Sequence, residues 1–135
     1  MILVDTSAWI ALIKRDPHKG LSPDEVLRFV TCAPILQELF QGMREDSRTK
    51  TLREGFLAMP CLSNPTPLDT FLEAAEIYRF ARRKGYTVRS STDCLIAAIA
   101  IRHDVAVWHH DRDFTTIARF TKLRAFHAPA PYRIH

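Results

Sequence analysis

Cysteine and glycine are scarce in this sequence, and long apolar runs are missing from it. Its three cysteines, Cys32, Cys61 and Cys94, form no CxxC pair, so neither a disulfide framework nor a cysteine zinc site is expected. Only four glycines occur, without a GxGxxG or Walker sequence, which argues against nucleotide binding. The longest apolar run, residues 94–101, is too short to span a bilayer.

The amino terminus also lacks a basic leader, and Asp5 interrupts its apolar stretch. We therefore expect no targeting segment, no membrane association and a soluble protein of the cytoplasm. A chain of 135 residues with 47% hydrophobic content fits a single domain over residues 1–135. The net charge of +4, from 19 basic and 15 acidic residues, leans only slightly toward polyanionic partners.

Strands and helices are predicted to alternate along the chain, because short apolar runs alternate with amphipathic ones. The predicted strands cover residues 1–5, 29–33, 105–108 and 123–126. The predicted helices cover residues 8–13, 34–43, 44–58, 68–84, 91–103 and 113–120, and one more begins near residue 22. Their predicted hydroxyl caps include Ser7, Ser22 and either Ser91 or Thr92. This alternation is typical of an α/β fold with a mainly parallel sheet.

Five acids lie where such a fold gathers functional groups, beyond the carboxyl ends of its strands. Asp5 ends the first strand, and Asp111 and Asp113 follow the strand at 105–108. Asp93 lies in the first turn of the helix at 91–103, and Glu38 lies on the helix after the second strand. Each acid alone also fits a structural role, as a cap, a turn residue, a partner of the helix dipole or part of a solvated stripe. Their joint placement is what indicates a site.

Several carboxylates in one pocket repel one another unless a cation neutralises them. Mg²⁺ and Mn²⁺ accept such oxygen ligands, and ions of this kind assist phosphodiester hydrolysis. With all five acids in the pocket, ten acids remain elsewhere against 19 basic residues, so the outer surface is basic. The basic runs at 44–53 and 79–89 therefore predict contacts with the phosphates of a polyanionic substrate, with a solvated helix face as the alternative. The residues predicted to make substrate contacts are Arg82, Arg83, Lys84, Arg89 and Arg112.

Four segments, spread over nearly the whole chain, carry a family pattern in order. They are MILVDTSAWI at 1–10, PILQELFQG at 34–42, GYTVRSSTDCLIAAIAI at 85–101 and HHDRDFTTIARF at 109–120. Together they resemble the PIN-domain ribonucleases, in particular the VapC toxins of bacterial and archaeal toxin–antitoxin pairs. The combination is specific, whereas VDTS alone would be a weak signal.

The resemblance implies a five-stranded parallel sheet between helices. It implies Mg²⁺- or Mn²⁺-dependent endoribonuclease activity on structured RNA such as tRNA, with inhibition of translation and growth as the result. It also implies a homodimer that a VapB-like antitoxin holds inactive in a hetero-oligomer.

Carried over residue by residue, Asp5, Glu38 and Asp93 match the first three acids of the family. Asp5 and Asp93 are then the expected metal ligands, and Glu38 completes the metal shell or orients water. The fourth acid is Asp111 or Asp113. Asp111 is preferred as the further metal ligand because it lies nearer the strand end, with Asp113 as support or helix cap.

Thr6 or Ser7 matches the hydroxyl that the family carries beside its first acid. Either hydroxyl would bond a carboxylate or a phosphate, and helix capping is the alternative. The segment at 2–7 also resembles phosphatases with an aspartyl nucleophile, but those need a second aspartate where Ser7 stands.

His109 and His110 raise the question of a zinc ligand or a general base. No second His or Cys pair has matching spacing, so we interpret them as shaping the strand end or the substrate rim. Two other functions compete with the ribonuclease: a DNA nuclease, and a catalytically silent PIN-fold module that binds RNA or a protein. The acids argue against the silent module, because a pure binder of polyanions has no use for buried negative charge.

Overall fold

The computed structural model describes residues 1–15 and 23–127. These residues form a five-stranded sheet in which all neighbouring strands are parallel, together with the helices that flank it. The strands are β1 (Ile2–Val4), β2 (Phe29–Cys32), β3 (Cys61–Leu62), β4 (Ala106–Trp108) and β5 (Ala125–Phe126). Their order across the sheet is β3-β2-β1-β4-β5. The strand order reverses at β1, and the carboxyl ends of strands at such a point form the usual ligand crevice of open α/β sheets.

Helices follow or connect these strands. They are α1 (Thr6–Arg15), α2 (Pro23–Val26), α3 (Ala33–Gln41), α4 (Ser47–Ala58), α5 (Leu68–Arg83), α6 (Ser91–His103) and α7 (Arg112–Ala118). The α/β class with a mainly parallel sheet is confirmed, and so is the five-stranded sheet that the family resemblance implied. Within the described residues, none of the helices combines the length and the apolar character that crossing a membrane requires.

The centre of the sheet is buried because apolar side chains fill both of its faces, as is usual for parallel strands between helices. Leu3 and Val4 of β1 and Val107 and Trp108 of β4 are fully buried. The ring of Trp9 on α1 meets the rings of neighbouring elements edge-on, and these contacts fix α1 against the sheet.

α6 is the most buried helix, and its bounds match those predicted from the sequence. Its interior residues 96–100 are all buried, as expected for a helix that is apolar on nearly every side. Ser90 caps it, because the Ser90 hydroxyl accepts a hydrogen bond from the Asp93 backbone nitrogen. The prediction of Ser91 or Thr92 as the cap is therefore wrong: both follow the cap, within the first turn.

Three other local predictions differ from the structure. α1 begins at Thr6, so Ser7 lies in its first turn, and the Asp5 carboxylate makes the capping bond to the Ser7 backbone nitrogen. α4 begins at Ser47 rather than residue 44, because the Asp46 side chain caps it. β3 was not predicted from its residues, since two residues carry no periodicity. The predicted cap at Ser22 lies outside the described residues.

Candidate active site

The two central strands bring Asp5 and Asp111 to the same edge of the sheet. Asp5 directly follows β1, and its backbone nitrogen donates to the carbonyl oxygen of Trp108, the last residue of β4, at 2.9 Å. Asp111 comes three residues after that strand and caps α7 by accepting a bond from the Asp113 nitrogen. Asp5 is only 3% exposed, so the end of β1 places a carboxylate inside the protein.

The Ser7 side chain fixes the Asp5 carboxylate. The Ser7 hydroxyl and backbone nitrogen both donate to Asp5 Oδ2, at 2.5 and 3.1 Å. The same hydroxyl accepts a bond from the His110 backbone nitrogen at 2.9 Å, which ties α1 to the segment after β4. Asp5 Oδ1 is buried without a hydrogen-bond partner in the described structure, whereas the Thr6 side chain interacts with Glu38 and opposes the rise in the pKa of that acid. Of the two predicted hydroxyls, Ser7 is therefore the one that bonds the first acid.

Asp113 holds the segment that leads into α6. Its Oδ2 atom accepts hydrogen bonds from the backbone nitrogens of Arg89 and Ser90, at 3.1 and 2.9 Å. Ser90 in turn caps α6 through the nitrogen of Asp93. Asp113 thus positions Asp93, although the two residues lie on different helices.

Three of the acids form a tight cluster. One carboxylate oxygen from each of Asp93, Asp111 and Asp113 lies within 4.8 Å of the other two, a spacing that could hold a metal ion. Burial raises the pKa of Asp93 to about 9, and the contact with the Asp111 side chain and the charges of Asp111, Asp5 and Asp113 act in the same direction. At neutral pH, Asp93 therefore carries a proton unless a cation takes its place.

Asp5 and Glu38 lie outside this trio, but the negative charge of Asp111 contributes to the raised pKa of each. Burial raises the pKa of Asp5, the bonds from Ser7 oppose that shift, and the charge of Asp111 adds to it. Partial burial and the charges of Asp5 and Asp111 raise the pKa of Glu38, which stands exposed at the rim on α3. All five predicted acids thus share one region at the carboxyl edge of the sheet.

The donor set fits a hard divalent cation. Every group in it is a carboxylate, the ligand type that Mg²⁺ and Mn²⁺ prefer. Asp5 Oδ1 and Asp93 Oδ2 are buried and have no hydrogen-bond partner in the part of the chain described. Buried polar oxygens without partners are costly, and a cation would satisfy both of them.

His109 is a structural residue rather than a zinc ligand or a base. It is 1% exposed, and its Nδ1 atom accepts a hydrogen bond from the Asp111 backbone nitrogen at 3.1 Å. Burial lowers its pKa to about 4, so the ring is neutral at pH 7 with its proton on Nε2. His109 thus orients Asp111, which agrees with the interpretation that it shapes the strand end, although nothing local in the sequence reveals the burial of its ring.

The predicted RNA contacts divide into two groups. Arg89 and Arg112 are exposed and adjoin the acids, since the Arg89 nitrogen bonds Asp113 and Arg112 lies between the last two aspartates. The other three, Arg82, Arg83 and Lys84, are exposed at the end of α5 and beyond it.

A groove of about 380 Å³ lies between α1, α3 and α4, and Glu38 is one of the residues that line it. Arg44 and Arg48, from the basic run at 44–53, line this groove together with Thr6 and Glu38. Basic side chains thus approach the acids from the groove as well as from the segment before α6.

Comparison with known proteins decides the family. Residues 2–120 match the PIN domain. The chain belongs to the PIN-domain family. Two mycobacterial relatives, the VapC ribonuclease Mb1587 of Mycobacterium bovis and the ribonuclease VapC11 of Mycobacterium tuberculosis, are each 43% identical to it over 131 residues, or 93% of this chain and 97% of theirs. The resemblance identified from the sequence is confirmed.

Solved PIN-domain structures share the fold at low sequence identity. A DNA-bound VapBC complex from Salmonella typhimurium contains a chain that matches 93% of this one with a TM-score of 0.70 and 21% identity. The match covers 96% of that chain, so the similarity includes the whole domain and not only the sheet.

Proposed function

We propose that this PIN domain is a divalent-metal-dependent endoribonuclease and the toxin of a VapBC-type toxin–antitoxin pair. The proposal is supported by two mycobacterial relatives named as ribonucleases, which match it over nearly their full length at 43% identity. The observation that carries it is the cluster of buried carboxylates, with unpartnered oxygens on Asp5 and Asp93. Such a cluster is unfavourable in a protein that only stores or binds RNA.

Asp5, Asp93 and Asp111 would hold the ion, Mg²⁺ or Mn²⁺. Asp111 is preferred over Asp113 because its charge acts on Asp5 and Glu38 as well as on Asp93, whereas the charge of Asp113 acts on Asp93 alone among these three. Asp113 also accepts two hydrogen bonds from distant backbone nitrogens, against one local bond to Asp111. When bound, the ion would neutralise the acids, orient the scissile phosphate and make water a better nucleophile.

The other residues of the site position these groups. Ser7 keeps the Asp5 carboxylate in one orientation through two hydrogen bonds, and Asp113 fixes the start of α6 so that Asp93 points into the site. Glu38, exposed at the rim, would accept a hydrogen bond from a water approaching the phosphate. Thr6, with its buried hydroxyl, would bond the substrate phosphate or a carboxylate.

The substrate we propose is a structured RNA such as tRNA, cut in the cytoplasm with inhibition of translation and growth as the consequence. Arg89 and Arg112 would contact phosphates next to the acids, and Arg82, Arg83 and Lys84 would extend that contact along α5. These cations are needed because the acids themselves repel RNA.

The partners we propose are a second copy of this chain and a VapB-like antitoxin, joined in a hetero-oligomer. The support is the likeness to chains found in VapBC complexes. The first test is whether a small reading frame that encodes a DNA-binding protein lies beside the gene. Co-expression with the product of such a reading frame, followed by size-exclusion chromatography with light scattering, tests both partners, and a monomer that recovers no antitoxin contradicts the assembly.

The activity is tested by incubating the purified protein with total tRNA and with a DNA duplex of similar length, with Mn²⁺ or with EDTA. We expect cleavage of RNA only, lost in EDTA and lost in Asp5→Asn. Asp69→Asn, the same change on the exposed first turn of α5, is the matched control and should cleave normally.

Equal cleavage by Asp5→Asn and the unaltered protein would contradict the assignment of the site. Cleavage of DNA in preference to RNA would identify a DNA nuclease instead. Recovery of intact RNA from a tight complex with Mn²⁺ present would identify a silent binding module.

A further inference from the structure

Three histidines meet at the carboxyl ends of β4 and β5, next to the acids. The two strands pair in parallel with Trp108 opposite Phe126, so His109 and His110 leave one strand where His127 leaves the other. The His127 ring centroid lies 4.5 Å from that of His110 and 5.9 Å from that of His109. The sequence separates these residues, and only the pairing of β5 brings them together.

Of the three rings, the buried one, that of His109, is fixed in place. His109 is buried, its Nδ1 atom bonds the Asp111 nitrogen, and its ring contacts Phe114 at 5.3 Å. His127 packs against this ring edge to face, at 66° between the planes. His110 meets His127 in the same manner, at 65°. The exposed rings of His110 and His127 therefore rest on a rigid, buried support.

His110 is also tied directly to the acid cluster. Its backbone nitrogen donates to the Ser7 hydroxyl, which itself donates to Asp5. The next residue along the chain is Asp111. A nucleotide that flanks a phosphate bound at these acids would therefore lie near the exposed His110 ring.

The charge of the site limits how the flanking nucleotide can be held. With five acids at this edge, a phosphate is held there only where a cation such as Arg89 or Arg112 offsets the repulsion. Aromatic side chains can hold RNA without charge, because bases stack on ring faces whatever their sequence. We propose that the His110 ring, held in orientation by His127, stacks on the base of a nucleotide that adjoins the cleaved bond.

This proposal rests on the proposed ribonuclease function, so its test measures binding as well as cleavage. The cleaved bond is first mapped by sequencing RNA ends, and if no cleavage occurs the fluorescent base is placed at successive positions of the RNA instead. A short RNA with the fluorescent base 2-aminopurine beside that bond is then titrated with the full-length Asp5→Asn protein, which should leave the RNA intact. Quenching of the fluorescence reports stacking, and anisotropy of an end label reports affinity.

Three substitutions of His110 in that background separate stacking from other contacts. His110→Ala should weaken binding about 5- to 50-fold and abolish quenching, since one base–ring contact is lost. His110→Phe keeps a ring face and should retain both, whereas His110→Gln keeps hydrogen bonding and should lose both. His103→Ala is the matched control, because that exposed histidine bonds Ser63 away from the site, and it should change neither signal.

The positioning role of His127 is tested by His127→Ala, which should reduce quenching while binding falls less than in His110→Ala. Unchanged quenching in His110→Ala overturns the proposal, and so does a Gln variant that binds better than the Phe variant. If the unaltered protein binds RNA with His110-dependent quenching but never cleaves it, the ribonuclease proposal fails and the stacking contact stands. If it cleaves RNA and His110→Ala behaves like the unaltered protein in both signals, only the stacking proposal fails.

Discussion

Replacing Asp93 with asparagine should make the metal-free protein more stable. The folded state raises the pKa of Asp93 to about 9 from its usual 3.8, so at neutral pH folding forces this carboxyl to take up a proton. Because the folded state binds that proton, stability is lost as the pH rises from about 4 through about 9, by at most about 1.4 kcal/mol per pH unit. At pH 7 this amounts to an upper limit of about 4 kcal/mol. Asparagine has nearly the same shape and stays neutral, so it avoids this penalty.

The gain should be visible as a change in melting temperature. Unfolding entropy is about 2.1 cal/mol/K per residue, so for 135 residues each kcal/mol shifts Tm by about 3.5 °C. We expect the Asp93→Asn protein in EDTA to melt about 4 to 14 °C above the unaltered protein at neutral pH. Differential scanning calorimetry at a series of pH values should show the difference widening between about pH 5 and about pH 8.

Divalent cations should make the unaltered protein more stable than Asp93→Asn, the reverse of the order expected in EDTA. Mn²⁺ binds the folded unaltered protein and should raise its Tm with concentration, while Asp93→Asn should respond far less. Asp69→Asn serves as control and should leave both the stability in EDTA and the response to Mn²⁺ nearly unchanged. If Asp93→Asn is no more stable than the unaltered protein at any pH in EDTA, burial and the neighbouring charges do not disfavour the ionised form of Asp93, and the reasoning fails.

Three further changes test the fold around the site. Ser90→Ala removes the cap of α6 and should lower the free energy of unfolding in urea by about 1 kcal/mol, whereas no measurable loss would mean that water replaces the cap. Trp108→Ala empties a fully buried site and should cost about 3 to 5 kcal/mol in the same assay; a loss below about 1 kcal/mol would contradict its core position. The half-exposed Arg102–Glu73 pair should contribute under about 1 kcal/mol in a double-mutant cycle and less in high salt, and a larger, salt-independent coupling would refute this view of an exposed ion pair.

Much of the fold could be predicted because its signals are local. The bounds of α6 were correct since its apolar run follows several hydroxyl residues and ends where Asp104 adopts a left-handed conformation. The caps were harder to assign: Ser7 and Asp5 can both cap α1, and the choice depends on where β1 ends. β3 has two residues and exists only because β2 lies beside it.

The sequence was sufficient to predict which acids lie near one another. Their positions after strands or near helix starts are visible in the sequence, and the structure brings all five to one edge. The sequence could not show which of Asp111 and Asp113 makes structural hydrogen bonds to distant parts of the chain. That depends on the Asp113 bonds to Arg89 and Ser90, more than twenty residues away, which no local pattern encodes. The contact of His110 with His127 likewise depends on the register of β4 and β5.

The central position of β1 has a consequence for the cell that makes this protein. Asp5 leaves the ribosome well before β4 and the aspartates that follow that strand. A chain made only as far as α5 can pair β1 with β2, but it still lacks β4, Asp93, Asp111 and Asp113. The cluster of acids, and any chemistry that depends on it, can therefore arise only after the second half of the domain has been made and β4 has paired with β1.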